Sequence, residues 1–128
     1  MFLVRSETWK QLGGFDERMT LSHAEDLDLC LRARQSGWKV WFSADGEFVH
    51  IGSASTRRWS NPARREMEGR SEGMMIRRNL GPIAATLSLA FITAGLVVRS
   101  SLFRLAGRSN TSADLWASVR GYLARDPG

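Results

Sequence analysis

The 128-residue chain is poor in several things: one cysteine, three prolines, one tyrosine and two lysines. A single cysteine, Cys30, excludes an internal disulfide and suits a reducing compartment. With so few lysines, the formal charge of +5 rests almost wholly on arginine. That suits anionic partners such as phosphates, nucleic acid or an acidic membrane surface, without choosing among them. No secretory signal is visible, because Met1-Phe2-Leu3-Val4 is a short apolar run that Arg5 closes. No internal repeat is present. What remains is a composition of 43% hydrophobic and 24% charged residues, ordinary for one small globular domain. The first five residues read as a buried strand with nothing before it. They predict that the chain begins part-way through a larger domain.

Ser22 to Arg34 is the densest stretch. Glu25, Asp26 and Asp28 put three carboxylates into four positions at the start of a predicted helix, where like charges repel unless something uses them. Ser22 and Glu25 match a capping box. Leu27, Cys30, Leu31 and Arg34 recur at helical spacing, apolar until the last turn, and Gly37 ends the helix. Asp28 can pair with Arg32 at i+4 on the surface, which is worth a few tenths of a kcal/mol. Asp26 has no such neighbour. It lies in the first turn, where negative charge is favoured, and an ionised carboxylate there suits the acceptance of a proton from a hydroxyl nucleophile.

Before this helix, Ser6 to Phe15 predicts a short one, capped by Ser6 and stopped by Gly13 or Gly14, with Trp9 and Leu12 facing a core. Asp16-Glu17-Arg18 reads as a solvated loop. After it, Trp38, Val40 and Phe42 alternate with Lys39, Trp41 and Ser43 as in a strand, and Glu47–Ile51 reads as a second strand beyond the turn at Ala44-Asp45-Gly46. This order predicts an α/β fold with a mixed sheet. His50 would end the second strand, where α/β folds place functional groups and where a neutral imidazole can bind a divalent cation. A small-residue loop, Gly52 to Thr56, runs from there into Arg57 and Arg58 and could wrap a phosphate.

Taken together, Phe2-Leu3-Val4-Arg5, Gly13-Gly14-Phe15-Asp16-Glu17, Glu25-Asp26-Leu27-Asp28-Leu29-Cys30-Leu31-Arg32, Gly37-Trp38-Lys39-Val40 and Val49-His50 resemble the C-terminal half of family 2 glycosyltransferases, closest to the rhamnosyltransferase-like members. The resemblance covers about residues 1–58 and implies the C-terminal half of a GT-A mixed sheet followed by helices. It implies transfer of a sugar from a nucleotide-sugar donor to a hydroxyl of a glycan or lipid-linked acceptor, in cell-surface polysaccharide or glycolipid synthesis, with Mg or Mn. It assigns Asp26 as general base, Glu25 to the acceptor side, His50 to the metal or diphosphate, and Arg57 and Arg58 to a loop over the donor. The family's nucleotide-binding half and its Asp-x-Asp metal motif are missing, since Asp26-Leu27-Asp28 lies within the predicted base helix. The chain alone is therefore expected to be inactive. The alternative is a non-catalytic, membrane-associated remnant.

The rest of the chain divides into a basic helical linker over 59–80, an apolar segment over 81–108 and an amphipathic tail over 109–128. Residues 1–58 form the acceptor-side part. Pro62 predicts a helix to about Asn79, polar enough to lie on a surface. Ile83–Val98 is an uncharged run of about 24 Å as a helix, short for a bilayer core of ~30 Å. With arginines at both ends it predicts a helix lying in a membrane interface, at the cytoplasmic face of the cell membrane. A nucleic-acid-binding role is disfavoured, because Trp59 is the only aromatic among the arginines of 57–78 and no binding motif surrounds them.

Overall fold

The computed structural model describes residues 3–19, 24–47, 49 and 61–124. These form five helices: α1 (Ser6–Leu12), α2 (Ala24–Gln35), α3 (Asn61–Asn79), α4 (Pro82–Leu105) and α5 (Ser109–Leu123). Among the described residues there is no strand: this part of the chain is all-α, and it overturns the expected α/β fold with a mixed sheet. A strand is stable only when a neighbour takes its backbone hydrogen bonds and a layer covers one of its faces. Among the described residues, 38–43 find neither. Trp41 and Phe42, which the alternation puts on opposite faces, are 80% and 93% exposed. Trp38 instead donates its Nε1 hydrogen to Gln11 on α1 at 2.9 Å. Of the second predicted strand, Phe48, His50 and Ile51 lie outside the described residues, as do Met1 and Phe2 of the first run.

The stops of α1 and α2 are glycines acting as predicted. Gly37 takes φ +86°, and Trp38 N–H then reaches back to the Ala33 carbonyl at 2.9 Å while Gly37 N–H bonds Arg34. This reverse turn satisfies carbonyls that the end of α2 leaves open. Both Gly13 and Gly14 are left-handed at the end of α1. Gly14 is doubly constrained, because a Cβ there would stand 2.8 Å from the Trp9 ring. Ser6 is the first helical residue rather than the cap; Arg5 occupies the cap position without a side-chain bond. Trp9 and Phe15 meet each other edge to face, centroids 5.1 Å apart, and both stay partly exposed instead of entering a core.

The main body is α3, α4 and α5, with α5 folded back against α4 and packed on α3. α3 is basic, as expected, but it is not a surface element: Gly69, Ser71, Gly73 and Met74 are buried. A Cβ on Gly69 would stand 2.6 Å from the Ser118 carbonyl, and one on Gly121 would strike the Glu66 carbonyl and stand 2.8 Å from Arg70 N. The two backbones thus touch through small residues, and large apolar side chains are not needed to bring them together. Around that contact Arg77 donates to the Tyr122 carbonyl, and the Tyr122 hydroxyl donates to Glu72. α2 attaches to α3, with α1 packed on α2 in turn, and Met19, Ala24, Met74 and Met75 pack together there.

Candidate functional site

The predicted apolar face of α2 is rotated from the one that is buried. Ala24, Asp28, Leu29 and Ala33 are inside, while Leu27 is 47% exposed. The rotation follows from Asp28, whose side chain has no exposed surface. Its Oδ2 accepts from Arg32 Nε at 2.6 Å, its Oδ1 accepts from Asn79 Nδ2 at 3.2 Å, and Arg78 lies 3.8 Å away. The expected surface pair of Asp28 and Arg32 is therefore a buried one, and removal of either partner would strand the other's charge.

Arg32 does more than neutralise Asp28. Its two terminal nitrogens donate to the carbonyls of Leu12 and Gly14, each at 2.8 Å. These carbonyls lie in and just past the last turn of α1, so one guanidinium fixes α1 against α2. Asp16 extends the node. It accepts from the side chain and backbone of Arg18 and from Arg78 at 2.8 Å. Hydrogen bonding from Arg18, helped by the charge of Arg78, holds the Asp16 carboxyl down at about 2 in spite of partial burial. Asp16 is thus an anchor between the loop and α3 instead of part of a solvated loop.

Glu25 and Asp26 open α2 in front of this node. Asp26 is exposed and makes no ion pair with a described residue. Glu25 is half-buried, and its Oε2 is enclosed without a hydrogen-bond partner. Ser22, the capping partner read for it, lies outside the described residues. Cys30 follows Asp26 by one turn. Burial raises its thiol above the ordinary value, and the Asp26 charge adds to the effect, so both favour the protonated thiol over the thiolate.

At the other end of α2, Arg34, Gly37, Trp38, Lys39, Val40 and Trp41 line an open hollow, with the Lys39 ammonium 5.8 Å over the Trp41 ring. Its signal in the sequence is Trp38 and Trp41, three residues apart beside Arg34 and Lys39, which the strand-like alternation of 38–43 hides. His50, Arg57 and Arg58 lie outside the described residues. Among the described residues no three His, Cys, Asp or Glu side chains gather closely enough to hold a metal ion. The donor set for Mg or Mn is thus not supplied by the described part of the chain. No protein-family model, curated protein or solved structure matches the chain.

Proposed function

We propose that the chain is the acceptor side of an inverting glycosyltransferase, with Asp26 as general base. The supporting observation is a division of labour among the carboxylates of the motif. Asp16 and Asp28 are consumed by Arg18, Arg32, Arg78 and Asn79. Asp26, two residues from the buried Asp28, is left exposed on a helix turn that this node holds still. In the reaction, the acceptor O–H proton passes to the Asp26 carboxylate as the oxygen attacks the anomeric carbon. The bond from that carbon to the nucleoside diphosphate breaks, and the diphosphate leaves with the electron pair. Glu25, at the neighbouring position, would orient the acceptor. No step is assigned to a metal, because the described residues do not provide its ligands.

The test is Asp26→Asn and Glu25→Gln in the reading frame extended upstream of Met1 to include a donor-binding region. Asp26→Asn should lower transfer by at least ~100-fold, as expected for loss of a general base, with donor binding unchanged. Retained turnover sinks the assignment. An upstream stop codon instead of a donor-binding region favours the non-catalytic remnant.

A further inference from the structure

α4 is long and apolar enough to cross a bilayer, with 24 residues and a mean hydropathy of 1.7 over its most apolar window. Its two sides differ. Ala85, Leu89, Ile92, Leu96, Ser100 and Phe103 recur on the side turned to the rest of the body, where Ser100 bonds the Ser112 carbonyl and hydroxyl of α5 at 3.0 and 2.8 Å. Ile83, Leu87, Phe91, Val98, Leu102 and Leu105 recur on the opposite side, each 55–86% exposed. This outer stripe runs about 33 Å along the helix, at ~1.5 Å per residue, and carries no charge.

We propose that the outer stripe of α4 seats in the plane of a bilayer bearing anionic phospholipid headgroups, and that α4 does not span it. This goes beyond the glycosyltransferase reading and does not depend on it. Charge identifies the occupant. From residue 73 to residue 113 there is no Asp or Glu, against Arg77, Arg78, Arg99, Arg104 and Arg108. Arg77 bonds the Tyr122 carbonyl and Arg78 pairs with Asp16, but Arg99, Arg104 and Arg108 are exposed and form no ion pair with a described residue. At ~100° per residue, Arg99 and Arg104 stand about 110° from the centre of the stripe on opposite sides. From there their stems can reach along the apolar surface while the guanidinium groups meet phosphates on both flanks of a helix lying flat. Arg108, whose guanidinium lies 5.9 Å over the inward-facing Phe103 ring, adds further positive charge at the turn.

The in-plane seat follows from α5. It returns along the inner side of α4 and carries Asp114 and Arg120, and α3 packs on it in turn. A spanning α4 would draw these charges into hydrocarbon, which is costly at any depth near the centre. Lying flat, α4 buries only its uncharged side and leaves α5 and α3 in water.

The experiment floats the full chain with vesicles of phosphatidylcholine alone and of phosphatidylcholine with phosphatidylglycerol. Binding should require phosphatidylglycerol and weaken as salt rises. Leu87→Gln with Phe91→Gln, at exposed positions where helicity by circular dichroism should not change, should lower binding at least ~10-fold. Arg99→Gln, Arg104→Gln and Arg108→Gln should each lower it about 5-fold and flatten its salt dependence. Nitroxide labels placed by Ile83→Cys, Phe91→Cys, Val98→Cys and Leu105→Cys, with Cys30→Ser, should report one shallow depth. Labels deepest in the middle and shallow at both ends would mean a spanning helix and overturn the proposal. So would equal binding to both vesicles, binding to neither, or a dimer that Leu87→Gln with Phe91→Gln dissociates in the absence of vesicle binding.

Discussion

Between residues 3 and 40 the chain is held by ion pairs and glycine-stopped helices, with an aspartate at its centre. Between 61 and 124 it is held by backbones in contact, with glycine and serine where a larger core would have leucine. In the first region Asp28 and Leu29 are among the largest fully buried side chains, and Arg32 joins two helices through carbonyls 18 and 20 residues away in sequence. In the second the largest are Ser71 and Ser100, and the apolar residues of one whole side of α4 remain exposed. A polar node fixes orientation, because each hydrogen bond has a direction; that is what a site at Glu25 and Asp26 needs. Small-residue packing fixes distance and leaves apolar surface free for something else, which is what a membrane seat needs.

The sharpest way to break the second region is to separate its backbones. Gly121→Leu places side-chain atoms where the Glu66 carbonyl and Arg70 N already are, and neither is the movable end of a side chain. We expect a loss of ~4 kcal/mol or outright failure to form the α3–α5 contact, beyond the usual range for overpacking, measured by urea denaturation. The first region should break differently. Asp28→Ala takes the carboxylate from Arg32 Nε and Asn79 Nδ2 and leaves the Arg32 charge part-buried without its counter-ion, at a cost of about 3 kcal/mol. Asp28→Leu combined with Arg32→Met should recover part of that loss. A double variant no better than the single one would mean that the carbonyl bonds of Arg32 outweigh its charge pairing.

These two regions also divide what could be read from sequence. α3, α4 and α5 were anticipated close to their observed bounds, because proline at a start, glycine after an end and an uncharged run are local signals. What went unread were long-range facts. The burial phase of α2 was misjudged because Asp28 counts as polar in any periodicity, and its three partners include Arg78 and Asn79, some fifty residues away. α3 looked like a surface helix because Gly69, Ser71 and Gly73 add nothing to an apolar tally, although all three are buried. The segment at 38–43 alternates like a strand, but alternation does not supply a partner. Of the site, Glu25 and Asp26 were legible from composition and position alone, whereas the node that holds them needed coordinates.

A smaller effect sharpens the comparison at the turn after α1. Gly14→Ala meets both a left-handed φ of 77° and the Trp9 ring, and should cost about 1–2 kcal/mol. Gly13→Ala has a similar φ but open space around it, so it should cost less, about 1 kcal/mol. Equal losses in thermal unfolding would show that the ring moves aside and that the backbone alone sets the requirement.

The smallest effects lie at the two extremes of pH, and they assign one region to each. Asp16 titrates at about 2 when folded against an ordinary 3.8, so its pairing is fully present above ~4 and is lost as pH falls toward 2. Asp16→Asn should flatten the acid limb by roughly 1 kcal/mol, allowing for screening by solvent. Tyr122 behaves in the opposite sense. Burial, with the Glu72 carboxylate accepting its proton, raises the phenol well above 10. A raised acid favours the protonated folded form, so this contribution holds below pH 10 and fades as pH climbs above it. Tyr122 is the only tyrosine, so phenolate absorbance near 295 nm reads the α3–α5 contact directly. Folded chain should show no phenolate where an unfolded control at the same pH is already half ionised. Glu72→Gln should lower that titration toward the ordinary value without moving the acid limb set by Asp16. A shift in both limbs would mean that the polar node and the small-residue packing form one cooperative unit.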